Sequence, residues 1–172
     1  QHALDLCTGA GCIAIAMAHY NPGWQVDGVD ISEAALSLAE ENRSRLFADN
    51  CSLIRSDMFT GLAGKVYDLI VTNPPYVTND ETDALPQEYS HEPDLGLRAG
   101  DDGLDFALKI LRDAPSHLSE HGVLICEVGE SERHLLKLLP EVPFAWVEFK
   151  VWQMCIFVID RNDILAHHEK IK

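Results

Sequence analysis

The sequence predicts an α/β fold: a mostly parallel sheet of seven strands with helices on both faces, closed at one edge by an antiparallel hairpin. Three observations carry that prediction. A short apolar strand, a glycine turn, an Ala/Ile-rich helix and a second strand follow one another over residues 4–30. A run of aliphatic residues, Tyr67-Asp68-Leu69-Ile70-Val71-Thr72, stops at Asn73-Pro74-Pro75-Tyr76, because a proline cannot donate to a ladder and so ends a buried strand. Two further strand-like segments, residues 144–150 and 155–160, have almost no gap between them, which suits a hairpin better than another crossover.

Taken in order, Leu4-Asp5-Leu6-Cys7 is the first strand, and Thr8-Gly9-Ala10-Gly11 is the turn into a buried helix over residues 12–18. Asn21-Pro22-Gly23 stops that helix, and Gln25-Val26-Asp27-Gly28-Val29-Asp30 is the second strand. Ser32 is placed to cap the next helix, which runs to about Phe47 before Asp49-Asn50 breaks it. The third strand, Cys51-Ser52-Leu53-Ile54-Arg55, ends at Ser56-Asp57-Met58-Phe59, and the fourth begins at Tyr67 and is expected to end at Asn73. Residues 78–103 are polar and acidic with little periodicity, and a loop of that length inside a domain is usually functional. Helical spacing resumes over residues 104–118, with Leu104, Leu108, Leu111 and Leu118 on one face. Gly122 opens a strand over residues 123–128, residues 131–139 form a helix stopped by Pro140, and residues 162–172 read as a polar, partly helical tail after the hairpin.

The totals bound the class. At 172 residues and 47% hydrophobic, the chain has material for one domain with a proper core, so residues 1–172 are expected to be a single unit. Residues 3–6 already read as a core strand with no signal-like segment before them, so the chain is expected to begin inside a larger protein. Five cysteines without a Cys-x-x-Cys pair fit reduced thiols in a cytoplasmic protein. No apolar run reaches the roughly 18 residues that suggest a membrane span. Eight histidines, including His167-His168, show no His-Glu-x-x-His or comparable ligand spacing, so no metal is expected. A formal charge of −15 opposes unaided binding to a phosphate backbone and suits a basic protein or a cationic small molecule.

The candidate chemistry has two halves. Gly9 and Gly11 allow close approach of a ligand to the backbone, the helix behind them offers free N–H groups, and Asp30 lies where a carboxylate would accept from ribose hydroxyls. A ribose-bearing cofactor follows, although Gly9-x-Gly11-x-x-Ala14 also satisfies a relaxed dinucleotide fingerprint. Asn73 sits at the carboxyl end of a strand, where open α/β sheets bind ligands. If a substrate carboxamide donates one N–H to Asn73 Oδ1 and the other to the Pro74 carbonyl, its nitrogen is held with acceptors ready for the positive charge that develops on methylation. Pro74 and Pro75 stiffen the backbone, and the Tyr76 ring can close over a cationic methyl centre.

Asp5-x-Cys7-x-Gly9-x-Gly11 resembles the acidic glycine loop of class I S-adenosylmethionine-dependent methyltransferases, with Cys7 in place of the first glycine. Asn73-Pro74-Pro75-Tyr76 resembles the signature of enzymes that methylate planar amino groups. The whole chain is similar to the catalytic domain of the HemK/Prm protein-glutamine methyltransferases, and Leu85-Pro86-x-Glu88-Tyr89-x-His91-Glu92-Pro93 and residues 122–129 resemble the PrmB branch. That resemblance implies a Rossmann-like class I fold and transfer of a methyl group from S-adenosylmethionine to the N5 nitrogen of a glutamine. The implied target is a protein of the large ribosomal subunit; nucleic-acid bases and release factors are the alternative targets.

It also implies that Asp5, Cys7, Thr8, Gly9, Ala10, Gly11, Asp30, Asp57, Met58 and Asn73 form the cofactor site, with Asp57 receiving the adenine amino group. Asn73, Pro74, Pro75 and Tyr76 would hold the glutamine, with Asn73, Pro74 and Tyr76 as the catalytic set, and Glu92 would help to shape the pocket. Two departures stand out. The helical amino-terminal recognition domain of the family is absent from this chain. Residues 150–156 lack the glycine or asparagine that a tight hairpin turn prefers.

Overall fold

Alternation along the first strand decides which residues meet which layer. In the computed structural model, which describes residues 1–75, 103–147 and 155–171, β1 (His2–Leu6) turns Leu4 and Leu6 to one face and Ala3 and Asp5 to the other. Ala3 packs with Ala14, Ile15 and Ala18 of α1 (Cys12–Tyr20). Leu4 and Leu6 belong to a larger core on the opposite face that contains Ile70, Leu111, Leu135, Phe157 and Ile164.

Seven strands hydrogen-bond in the order β3-β2-β1-β4-β5-β7-β6. β2 (Gln25–Asp30), β3 (Cys51–Arg55) and β4 (Tyr67–Thr72) pair in parallel with their neighbours, as does β5 (Leu118–Glu127) with β4. β7 (Ile156–Asp160) runs antiparallel to both β5 and β6 (Ala145–Val147). The expected mostly parallel sheet with a reversed edge is therefore present. Its strand order reverses between β1 and β4, which places a crevice outside the carboxyl ends of those two strands.

The helices follow the sequence signals. α2 (Glu33–Arg45) starts where Ser32 Oγ accepts from Ala35 N at 3.2 Å. Asn50, just before β3, donates its side-chain amide to the carbonyls of Ala18, Asn21 and Trp24, closing the end of α1. α3 (Asp105–Asp113) buries Ala107, Ile110 and Leu111, and α4 (Glu132–Leu138) buries Leu135.

Three expectations are corrected. The helical stretch expected to Leu118 ends at Asp113, because Pro115 sits in a following 3₁₀ turn and Leu118 already belongs to β5. β5 accordingly begins before Gly122, and its register against β4 shifts between Tyr67 and Leu69. The polar tail is in fact docked: α5 (Arg161–Ala166) and α6 (His168–Ile171) insert Ile164 and Ile171, 0% and 1% exposed, into the main core. The expected 78–103 loop and the atypical 150–156 turn lie outside the described residues except for Gly103, Cys155 and Ile156.

Candidate active site

Backbone geometry builds the first wall of the site. Cys7 leaves β1 with φ +62°, a left-handed conformation in which a side chain is strained, so the position that carries cysteine here is one suited to glycine. Thr8 N then donates to Val29 O at 2.8 Å, and Gly11 N donates to Thr8 O at 2.9 Å, closing the turn. The two glycines do different work. Gly9, at φ +55°, has open space where a Cβ would stand, whereas a Cβ on Gly11 (φ +83°) would meet Ile15 Cδ1 at 2.9 Å and Ala39 Cβ at 3.0 Å. Gly9 allows approach from outside; Gly11 lets α1 and α2 pack.

Two carboxylates hold this turn from behind. Asp30 Oδ2 accepts from Gly9 N and its Oδ1 from Ser32 N, both at 2.8 Å, so the end of β2 is stapled to the turn and to the start of α2. Asp5 is fully buried; its Oδ2 accepts from Thr8 Oγ1 and from Ala14 N, while its Oδ1 has no partner among the described residues. Burial pushes the Asp5 carboxyl up to about 6, against the lowering effect of the Thr8 and Ala14 hydrogen bonds and with a smaller upward push from Asp30. Burial, again with Asp30 beside it, pushes the Cys7 thiol up to about 12, so this sulfur is a neutral wall group and not a thiolate nucleophile.

The second wall comes from the end of β3. Ser56 Oγ donates to Met58 O and accepts from Gly61 N, which fixes the tight bend where Met58 takes φ +52°. Met58 is buried, and the Cys7 thiol lies 3.8 Å from its Sδ. Asp57 stays accessible and meets Lys109 Nζ of α3 at 3.5 Å.

The third wall is the end of β4. Thr72 Oγ1 donates to Leu6 O at 2.7 Å, joining the last residues of β4 and β1. Asn73 follows at once and is exposed, Pro74 is buried behind it, and Pro75 is half-buried.

These walls enclose a cavity of about 470 Å³ lined by Cys7, Gly9, Asp30, Asp57, Met58, Asn73 and Pro75 among others. Of the residues singled out in the sequence, Asp5 and Thr8 lie buried beneath the turn, supporting it. Gly11 is sealed against α1 and α2. Ala10 lines a second depression between α1 and α2, shared with Cys12, Tyr20 and Leu46, which carries no acid among its lining residues. Tyr76 and Glu92 lie outside the described residues. Sequence reasoning missed Phe106 and Lys109, which reach the cavity from α3. Their signal was available: they are three apart on a helix whose other side, Ala107, Ile110 and Leu111, is buried. No cluster of His, Cys, Asp or Glu among the described residues could hold a metal ion.

Residues 1–90 match the family model described as methyltransferase small domain. The chain is 76% identical over 169 residues to a ribosomal protein uL3 glutamine methyltransferase of Xanthomonas campestris, a match covering 98% of this chain and 55% of the relative. It is 68% identical over 171 residues to the protein of the same name from Xylella fastidiosa strain Temecula1, covering 99% and 55%. The chain thus spans about half the length of the curated relatives it matches. Among solved structures it resembles a methyltransferase from Pyrococcus furiosus, with TM-score 0.66 and 20% identity, over 92% of this chain and 74% of that one.

Proposed function

The chain belongs to the methyltransferase small-domain family, and from that premise we propose that residues 1–172 are the catalytic domain of a protein-glutamine N5-methyltransferase. Its substrate is a glutamine side chain in a large-subunit ribosomal protein, and its methyl donor is S-adenosylmethionine. The observation that carries the reading is that Asn73 opens onto the same cavity as Gly9, Asp30 and Asp57. Support for the target class comes from the two relatives, each named a ribosomal protein uL3 glutamine methyltransferase.

The residues present fit the donor. Open space at the Gly9 Cβ position leaves room for a ligand against the turn. Asp30 spends one lone pair of each oxygen on a backbone N–H and keeps others for hydroxyls, while Asp57 offers an acceptor beside the apolar Met58 and Phe106. When bound, S-adenosylmethionine supplies an electrophilic methyl sulfonium and leaves as S-adenosylhomocysteine.

The chain's own residues supply position and charge. A carboxamide nitrogen is a poor nucleophile because its lone pair is delocalised into the carbonyl. Asn73 Oδ1 accepts one N–H of the substrate amide and the Pro74 carbonyl accepts the other, holding the nitrogen towards the methyl group. Both acceptors stabilise the positive charge as the nitrogen pyramidalises. Alignment of this kind contributes on the order of 7 kcal/mol or more. A strong base is unnecessary, because the methylated nitrogen loses its proton readily. The roles expected from the sequence, Tyr76 closing over the cationic methyl centre and Glu92 helping to shape the pocket, fall on residues outside those described.

A net charge of −15 suits a basic ribosomal protein as partner and opposes unaided binding to a nucleic-acid backbone. Among the described residues no helix is long and apolar enough to cross a membrane; the proposed place of work is the cytoplasm, where ribosomal proteins are made. The test incubates the full-length enzyme with labelled S-adenosylmethionine and a ribosomal extract and locates the label by mass spectrometry. Methyl on a glutamine of a large-subunit protein is expected; label confined to RNA, or to a release factor, overturns the assignment.

A further inference from the structure

Where the described chain takes a left-handed backbone it uses glycine at five positions, Gly9 and Gly11 among them, and another residue at three. Of those three, Phe47 follows the end of α2 and is 84% exposed. The other two, Cys7 (φ +62°) and Met58 (φ +52°), line one cavity. They also touch: 51 residues apart in sequence, they meet with the Cys7 thiol donating towards Met58 Sδ at 3.8 Å. Each carries a Cβ crowded against its own backbone, a steric cost that glycine would not have. Residues held this way persist only where their surroundings over-determine them, and they gather at ligand sites.

The contacts of the Cys7 sulfur show what a glycine would lose. Cys7 follows the last residue of β1, Met58 lies in the bend after β3, and the sulfur also interacts with the hydroxyl of Thr72, the last residue of β4. One half-buried side chain thus reaches from the glycine turn to the ends of two other strands. The turn itself is closed without that sulfur, through Thr8 N on Val29 O, Gly11 N on Thr8 O and Gly9 N on Asp30. We propose, on the reading of this cavity as an S-adenosylmethionine site, that Cys7 is a positioning residue for the donor: its sulfur braces Met58 and so keeps the cavity in the shape the donor fits. Without the brace, the long and adaptable Met58 side chain gains rotamer freedom that a ligand must remove on binding. The backbone strain at both residues is retained for that pre-organisation.

The test compares Cys7→Gly with Cys7→Ala in the full-length protein. Both delete the sulfur, and only alanine keeps a left-handed side chain. Cys7→Gly is expected to unfold at a higher urea concentration than Cys7→Ala, while calorimetry shows both variants binding S-adenosylhomocysteine about 10-fold more weakly than the wild type. Met58→Leu is expected to give a loss of similar size, and adding it to Cys7→Ala to weaken binding little further, as two residues acting as one unit do. A residue that merely filled space would weaken binding in step with the urea midpoint, so affinity that stays low in the more stable glycine variant separates the two roles. Wild-type affinity in both Cys7 variants, additive losses in the double variant, or a glycine variant no more stable than the alanine one overturns the proposal. A wild-type protein that fails to bind S-adenosylhomocysteine overturns the donor reading and this inference with it; binding that the wild type and every variant share overturns this inference alone.

Discussion

The two sides of the cavity are built on opposite plans. The turn after β1 is bonded to itself: Asp5 takes Thr8 and Ala14, Asp30 takes Gly9 and Ser32, and Thr8 and Gly11 close on one another. The end of β4 turns outward, with Asn73 exposed immediately after the last ladder residue. A site that must grip a large ligand against backbone needs a pre-organised cradle, and a site that must engage a visiting side chain needs acceptors that its own fold has not consumed. On the proposed function, the contrast would separate binding from transfer residue by residue, and the substitutions below test it.

The largest effect is expected at Asn73. Asn73→Ala removes one of two proposed acceptors and should lower kcat by about 100-fold or more at saturating donor, while calorimetry shows a much smaller change in affinity for S-adenosylhomocysteine. Near-normal turnover would remove Asn73 from the transfer step. Next come the two glycines. Gly11→Ala combines left-handed strain with a collision against Ile15 and Ala39, so urea denaturation should show a loss of about 2–4 kcal/mol. Gly9→Ala should cost only about 1–2 kcal/mol of stability and show its larger effect on ligand affinity. Equal behaviour of the two variants would erase the distinction between packing and approach.

Asp5 gives a pH signature. Its folded-state carboxyl sits at about 6, raised from the ordinary 3.8, so between roughly pH 4 and 6 the native protein keeps a proton that the unfolded chain has released. Asp5 therefore contributes stability that is full below pH 4 and is lost as pH rises through 6. Its size is on the order of 3 kcal/mol. Denaturation midpoints at several pH values should lose this component in Asp5→Asn, and an unchanged slope would mean that the carboxyl is already ionised at pH 4. The smallest effect is expected at the Lys109–Asp57 pair, 41% and 58% exposed. Lys109→Met should change stability by less than about 0.5 kcal/mol, and a loss above 1 kcal/mol would show that the pair clamps α3 to the site.

Much of the fold was legible because strand ends are chemically marked. Pro74 and Pro75 mark the end of β4, which stops at Thr72, one residue before the expected Asn73, and the predicted limits of β2 and β3 coincide with those observed. Failures occurred where a local signal met a tertiary one. Ser119, Glu120 and His121 look like a loop, yet pairing of Tyr67 with Leu118 draws them into β5 around a register shift. Ile164 and Ile171 look like stray apolar residues in a charged tail, and only the exposed end of the core explains their burial. At the site, Asp30, Asp57 and Asn73 announced themselves as polar groups at strand ends. The left-handed backbone at Cys7 and Met58 did not, because neither residue type signals a positive φ. Gly9 and Gly11 looked alike in sequence, and their neighbours in space separate them.

The hydroxyl of Thr72, resting on the Leu6 carbonyl, has a mechanical meaning. It ties together the two strand tips that carry the opposed halves of the pocket, alongside the parallel pairing of β1 with β4. On the proposed function, the short path along which a methyl group would travel is thus gauged by the sheet itself. A substrate arriving at this rim would, on that function, meet a caliper already set, and any freedom needed for its entry would come from segments other than the strands.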